Sequence, residues 1–276
     1  MSVVFLIYFF ILLTLDLVID AKRLDKNSEY GESFEGDIIL TSEEARALIL
    51  SPRNGLINSN KRWPKNIVYY EMDENHSLLE QSEIERAMIL IESVSCIQFK
   101  ERSDEDGYIE FNALSSGCSA HVGYQGKAQI LNLSPNCFRQ FGTVIHEILH
   151  ALGFYHMQSA HDRDNYIKIV YDNVKAGKEH NFRKYSSQMV THFGQNYDYA
   201  SVMHYSRYAF TSNDKPTIEA LDERFSKVMG QRKGMSQVDV LKLNEMYKCK
   251  QRRSVSNGGT FCIRNPNLPS CVSATE

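Results

Sequence analysis

The run His146-Glu147-Ile148-Leu149-His150-Ala151-Leu152-Gly153-Phe154-Tyr155-His156 constrains this chain more than any other stretch. In a helix, at about 100° per residue, His146 and His150 lie within roughly 40° of each other and one turn apart. Two neutral imidazoles so placed can take one side of a tetrahedral Zn²⁺. Glu147 lies about 100° round from His146, near enough to hydrogen-bond a water there without ligating the metal. The apolar residues Val144, Ile145, Ile148, Ala151 and Leu152 fall on the opposite arc, so the pattern predicts a helix that packs on one side and holds metal on the other. Gly153 supplies the left-handed turn that stops a helix. The chain can fold back there and bring in His156 as a third ligand.

The beginning of the chain reads differently. Residues 3–15 are apolar except Thr14, and Asp16 and Asp20 close the run. That is too short for a bilayer core and suits a secretory signal peptide, with Ala21 as the cleavage point, giving a predicted leader over residues 1–21. An uncleaved amino-terminal anchor, and with it a membrane-tethered sheddase, is the rival reading. No other stretch could cross a membrane, and stable membrane association is not expected. The formal net charge of −3 gives no reason to expect nucleic acid or an anionic surface as partner. Six cysteines behind a leader fit an oxidising compartment, and so a secreted, extracellular protein. Asn75-His76-Ser77 and Asn132-Leu133-Ser134 are candidate glycan acceptors at Asn75 and Asn132.

Periodicity places a strand after Trp63-Pro64 at Ile67–Tyr70. A helix capped by Ser82 buries Ile84, Ala87, Met88 and Ile91, and further strands fall at Ile97–Phe99 and Tyr108–Phe111. A last helix capped by Ser236 carries Val238, Leu241, Leu243 and Tyr247. Between residues 22 and 53 the chain is polar and acidic, too poor in apolar residues to make a core alone. Within it, Ser42–Leu50 reads as a short helix capped by Ser42. From residue 251 to 276 the composition turns to flexible chain, in which Cys262 and Cys271 are candidates to close a small loop.

The zinc run, followed by Asp162-Arg163-Asp164 and later by Tyr197-Asp198-Tyr199 and Ser201-Val202-Met203-His204-Tyr205, resembles the astacin family of metzincin metallopeptidases. The resemblance extends from about Phe34 to Cys249. It implies an α+β, two-lobed metzincin domain over residues 54–250, with a twisted, mostly parallel sheet, the zinc helix on the cleft floor and Met203 in the Met-turn. It implies one Zn²⁺ on His146, His150 and His156, with Glu147 as general base. Tyr205 would be a resting-state ligand that later serves the oxyanion. Phe34-Glu35-Gly36-Asp37 resembles the family's prosegment signature, in which Asp37 would bind the zinc of the proenzyme, making residues 22–53 a propeptide. Arg53-Asn54 aligns with the activation cut, here suited to a trypsin-like protease. Disulfides Cys96–Cys249 and Cys118–Cys137 are implied, and strand 108–111 would edge the cleft and pair with an extended peptide. Members usually carry Glu and Arg where this chain has Met157 and Ala160, and Met157 cannot accept a hydrogen bond as that Glu does for the new amino terminus. The expected function is therefore a secreted zinc metalloendopeptidase made as a zymogen and acting on proteins or peptides. The alternative is a catalytically silent secreted binding protein on the same scaffold.

Overall fold

A computed structural model describes residues 33–42, 44–45, 59–113, 116–187 and 190–250. The expected leader over 1–21, the activation site at Arg53 and Asn54, and Cys262 and Cys271 lie outside the described residues.

Among the described residues the main sheet has six strands: β1 (Ile38–Ile39), β2 (Ile67–Met72), β3 (Gln98–Glu101), β4 (Ile109–Asn112), β5 (Cys118–His121) and β6 (Gln129–Leu133). Their order is β1-β5-β6-β4-β2-β3. All pairs run parallel except β5 with β6. Accompanying it are the helices α1 (Leu78–Val94), α2 (Phe141–Ala151) and α3 (Gln237–Met246). A small antiparallel pair, β7 (Ile167–Ile169) with β8 (Ile218–Ala220), belongs to the second half of the chain. No described helix is long and apolar enough to cross a membrane.

Several local expectations shift. Helix α1 starts before Ser82: Ser77 is its cap, in a capping box with Glu80, and Ser82 lies within the helix. The Ser-x-x-Glu spacing outcompetes a lone Ser because it satisfies two amide donors reciprocally. Ile84, Ala87, Met88 and Ile91 do form its buried face. In the same way Thr41, not Ser42, caps the turn that follows β1. Its Oγ1 accepts from the Glu44 amide at 3.2 Å while Glu44 accepts from the Thr41 amide at 2.8 Å. Strand 109–112 lies inside the sheet between β6 and β2. The end strands are β1 and β3, and β1 is seated in parallel on the side of β5 that β6 leaves free. Asn132 cannot carry a glycan: it lies buried on β6 and its amide donates to the Gly117 carbonyl at 2.8 Å. Asn75 is exposed in the turn before α1.

Two apolar clusters build two lobes. One packs the sheet with α1, α2 and α3 around Trp63, Phe111, Leu131, Ile148 and Leu243. The other gathers Ile167, Phe182, Tyr205, Phe210 and Ile218 from the second half of the chain. The chain crosses between them at Gly153, whose φ of 110° is closed to most side chains. A small third cluster, Ile38 with Val122, seats residues 33–40 against the first lobe. Cys96 is joined to Cys249 and Cys118 to Cys137.

Candidate active site

Helix α2 is buried all round, from Gly142 to Ala151, rather than on one arc. Its last carbonyls therefore need partners inside the protein. Phe154 N–H donates to Leu149 O, and Gly153 and Gly123 amides donate to His150 O. Trp63 Nε1 donates to Ala151 O and Tyr247 Oη to Leu152 O, each at 2.8 Å. At the other end Gly142 lies so close to Arg232 that an added Cβ would meet the Arg232 carbonyl at 2.2 Å. The helix is thus fixed at both ends, and with it His146, Glu147 and His150.

The three histidines converge. Each Nδ1 has an acceptor: Val202 O for His146 at 2.8 Å, Phe154 O for His150 at 2.7 Å, and Glu35 Oε2 for His156 at 2.7 Å. Three protonated Nδ1 atoms leave three Nε2 lone pairs pointing inward. His146 Nε2 and His150 Nε2 are 3.1 Å apart. Asp37 fills the fourth corner, 3.2 Å from His146 Nε2, 3.1 Å from His156 Nε2 and 3.5 Å from His150 Nε2. A tetrahedron of ligands about 2.0–2.1 Å from its centre has edges of roughly 3.3 Å. Facing lone pairs and a carboxylate at these separations repel unless a cation lies between them, so the donor set fits one Zn²⁺.

The charges agree. Burial pushes the Asp37 carboxyl up, but His156 and His150 outweigh it and hold it well below the usual carboxylate range. Burial pulls His156 down, yet Asp37 and Glu35 raise it to about 10. Burial and then Arg232 lower His146 to about 3. For Glu147, burial and then the Asp37 carboxylate raise the carboxyl well above its ordinary value. Glu147 Oε2 has no hydrogen-bond partner among the described residues.

Residues 33–40 do more than the Phe34-Glu35-Gly36-Asp37 motif promised. Asp37 sits at the centre, and Ile38 and Ile39 extend the sheet along β5 in parallel. Glu35, read in the sequence only as the variable position of the signature, is fully buried and accepts from His156 Nδ1, Ser159 Oγ and Tyr185 Oη. Its φ of 49° marks a strained backbone. Nothing in the local sequence pointed to it, since its partners come from distant segments. Tyr205 packs on His156 with ring centroids 4.6 Å apart, but its hydroxyl donates to the Glu35 carbonyl. Asp37 rather than Tyr205 stands at the fourth corner of the histidine cluster.

Met203 is buried, and its carbonyl accepts from the Met157 amide at 2.9 Å. Asp239 of α3, missed in the sequence, clamps this turn: it accepts from Ser201 Oγ at 2.6 Å and from the Val202 amide at 2.9 Å. Its signal was the Ser236-x-x-Asp239 capping box. Met157 lines a partly open pocket together with Lys242, whose ammonium donates to Met157 Sδ at 3.2 Å.

The family model of the astacin peptidases matches residues 55–248. The chain is 40% identical over 250 residues to meprin A subunit beta of Rattus norvegicus, covering 90% of this chain and 34% of that protein. It is 37% identical over 226 residues to zinc metalloproteinase nas-4 of Caenorhabditis elegans, covering 79% of this chain and 70% of that one. Among solved structures, high choriolytic enzyme 1, a hatching enzyme zinc-protease from Oryzias latipes, is similar with a TM-score of 0.65 at 31% identity, over 70% of this chain and 97% of that chain. The chain spans about a third of the length of the meprin subunits it matches.

Proposed function

The chain belongs to the astacin family of peptidases, and on that premise we propose that it is a zinc metalloendopeptidase, made as a zymogen and secreted, that cleaves peptide bonds in extended protein substrates. The observation that carries this reading is the convergence of three Nε2 atoms on the Asp37 carboxylate, with Glu147 in the same buried volume.

When bound, Zn²⁺ supplies Lewis acidity: it acidifies a water and polarises the carbonyl to be cleaved. The protein's own groups do the rest. His146, His150 and His156 would hold the metal, each ring kept in one tautomer by its Nδ1–H bond. Glu147 takes a proton from the attacking water and passes it to the leaving amine. Tyr205, once released from the Glu35 carbonyl, donates to the carbonyl oxygen as that oxygen gains charge. The β5 edge, when residues 38–39 leave it, offers backbone groups for an extended peptide.

In the zymogen Asp37 takes the position the water needs, and Glu35 ties the prosegment to the second lobe. Cleavage between Arg53 and Asn54 by a trypsin-like protease releases both. The amino terminus so made finds no carboxylate at position 157. It meets Met157 with the Lys242 ammonium beside it, which disfavours docking a second ammonium there. Asn75 remains the candidate glycan site.

Casein digestion after trypsin treatment, with and without a chelator, tests the activity. Glu147→Gln should keep its zinc and lose about 10³-fold in turnover. Near-normal activity in that variant would show that another group is the base. A trypsin-treated wild type that carries zinc but digests nothing would favour a silent binding protein.

A further inference from the structure

A second set of metal-type donors lies outside the catalytic centre. His161, Asp162 and His192 each offer an atom within 4.8 Å of the others. His192 Nε2 stands 2.7 Å from Asp162 Oδ1, and the His161 and His192 rings are 5.3 Å apart between centroids. All three are half-buried. We propose that these residues form a second divalent-cation site of zinc type, which pins the segment carrying His192 to the loop that follows the third catalytic histidine.

Both segments have further contacts. Asp162 opens a short turn (Arg163–Asn165) in which buried Arg163 donates to Gln158 O at 3.0 Å. The His192 ring packs edge-on against Tyr197, 6.5 Å between centroids. His161 makes no hydrogen bond to any described residue, so its ring nitrogens are available. Two imidazoles and one carboxylate select Zn²⁺ over Mg²⁺ or Ca²⁺, which prefer all-oxygen sets. Half exposure leaves room for water to complete the coordination. Lys242, in the wall of the cavity that His192 also lines, works against the cation and weakens the site relative to the catalytic one. The catalytic site already commits His146, His150 and His156, so the two sites share no ligand.

The test is zinc stoichiometry of the full-length protein after equilibrium dialysis against a zinc buffer, read by elemental analysis. Wild type should hold two zinc ions per chain and His161→Ala one. His161→Ala leaves the Asp162–His192 hydrogen bond intact and so separates a metal site from a simple ion pair. His192→Gln, which retains a donor for Asp162, serves as the second variant. Either change should weaken the second zinc by about 10- to 100-fold or more, while peptidase activity at one equivalent of zinc stays unchanged. Cobalt substitution gives an independent readout: a second increment of visible absorption in wild type that is missing in both variants. A single zinc in the wild type under excess metal, or two zinc ions retained in His161→Ala, overturns the proposal without touching the catalytic assignment.

Discussion

Glu35 is a buried carboxylate whose partners all belong to the rest of the protein: an imidazole, a serine hydroxyl and a tyrosine hydroxyl. Truncating such a group leaves those donors unsatisfied while the prosegment is seated but not after it departs. On the proposal that residues 22–53 are a propeptide, a synthetic peptide spanning them should inhibit the enzyme cut after Arg53, and the Glu35→Ala peptide should inhibit at least about tenfold less well, taking the lower end of the cost of breaking a buried charged pair. Equal inhibition constants would remove Glu35 from the latch and leave Asp37 alone. His204 makes the second prediction at this scale. Its Nδ1 donates to Tyr205 O at 2.7 Å and its Nε2 accepts from Tyr197 Oη at 2.8 Å, so both nitrogens are satisfied only in the neutral ring. Burial and then Arg232 outweigh the Tyr205 hydrogen bond and lower its pKa to about 4. An unfolded histidine takes up its proton near pH 6.5. The stability this group confers is therefore complete above about pH 6.5 and falls as pH drops toward 4, by about 3 kcal/mol at most. Urea midpoints of His204→Gln should fall less steeply across that window than those of wild type; parallel curves would assign the acid sensitivity elsewhere.

Among the elements, α2 depends on its neighbours rather than on its own sequence. Its cap residue Gln140 makes no side-chain capping bond, and its final carbonyls are met by Trp63 and Tyr247 from opposite ends of the described chain. The Met-turn depends likewise on α3. Asp239 fixes the Val202 amide, and the Val202 carbonyl fixes His146. Asp239→Ala should therefore act twice. It should destabilise the fold by about 1–3 kcal/mol through unsatisfied buried donors, and weaken zinc about 10- to 100-fold through a misplaced His146. Chelator competition measures the second effect. Unchanged zinc affinity in a folded variant would mean that Val202 holds its place without α3.

On the scale of the whole molecule, two lobes meet at a set of charges that neither could bury alone. Removing the metal leaves facing lone pairs and carboxylates in a dry site, so a chelator should lower the melting temperature of the protein as well as its activity. The disulfides act on the unfolded chain. Cys96–Cys249 closes a loop of 153 residues and Cys118–Cys137 one of 19. Chain-entropy arithmetic gives about 5 and about 3 kcal/mol respectively. The double variant Cys96→Ser/Cys249→Ser should therefore lose more stability in urea than Cys118→Ser/Cys137→Ser. The reverse order would show that native packing around Cys118 outweighs loop entropy.

The zinc helix, the turn at Gly153 and the third histidine could be read from the sequence because their geometry is local: one helical period and one left-handed residue suffice. The place of Asp37 beside the three histidines was legible through family likeness, not through periodicity. Local signals also misplaced small things, since a lone Ser82 or Ser42 looks like a cap until the reciprocal Glu80 or Glu44 is counted. Only the tertiary structure decided that strand 109–112 lies inside the sheet while β1 is seated on β5, that Asn132 is sealed inside the sheet, and that Glu35, Asp239 and the His161–His192 pair have partners. Those contacts join segments far apart in the chain. What a buried carboxylate or an edge strand does depends on which distant groups the fold delivers to it, and no short-range pattern carries that information.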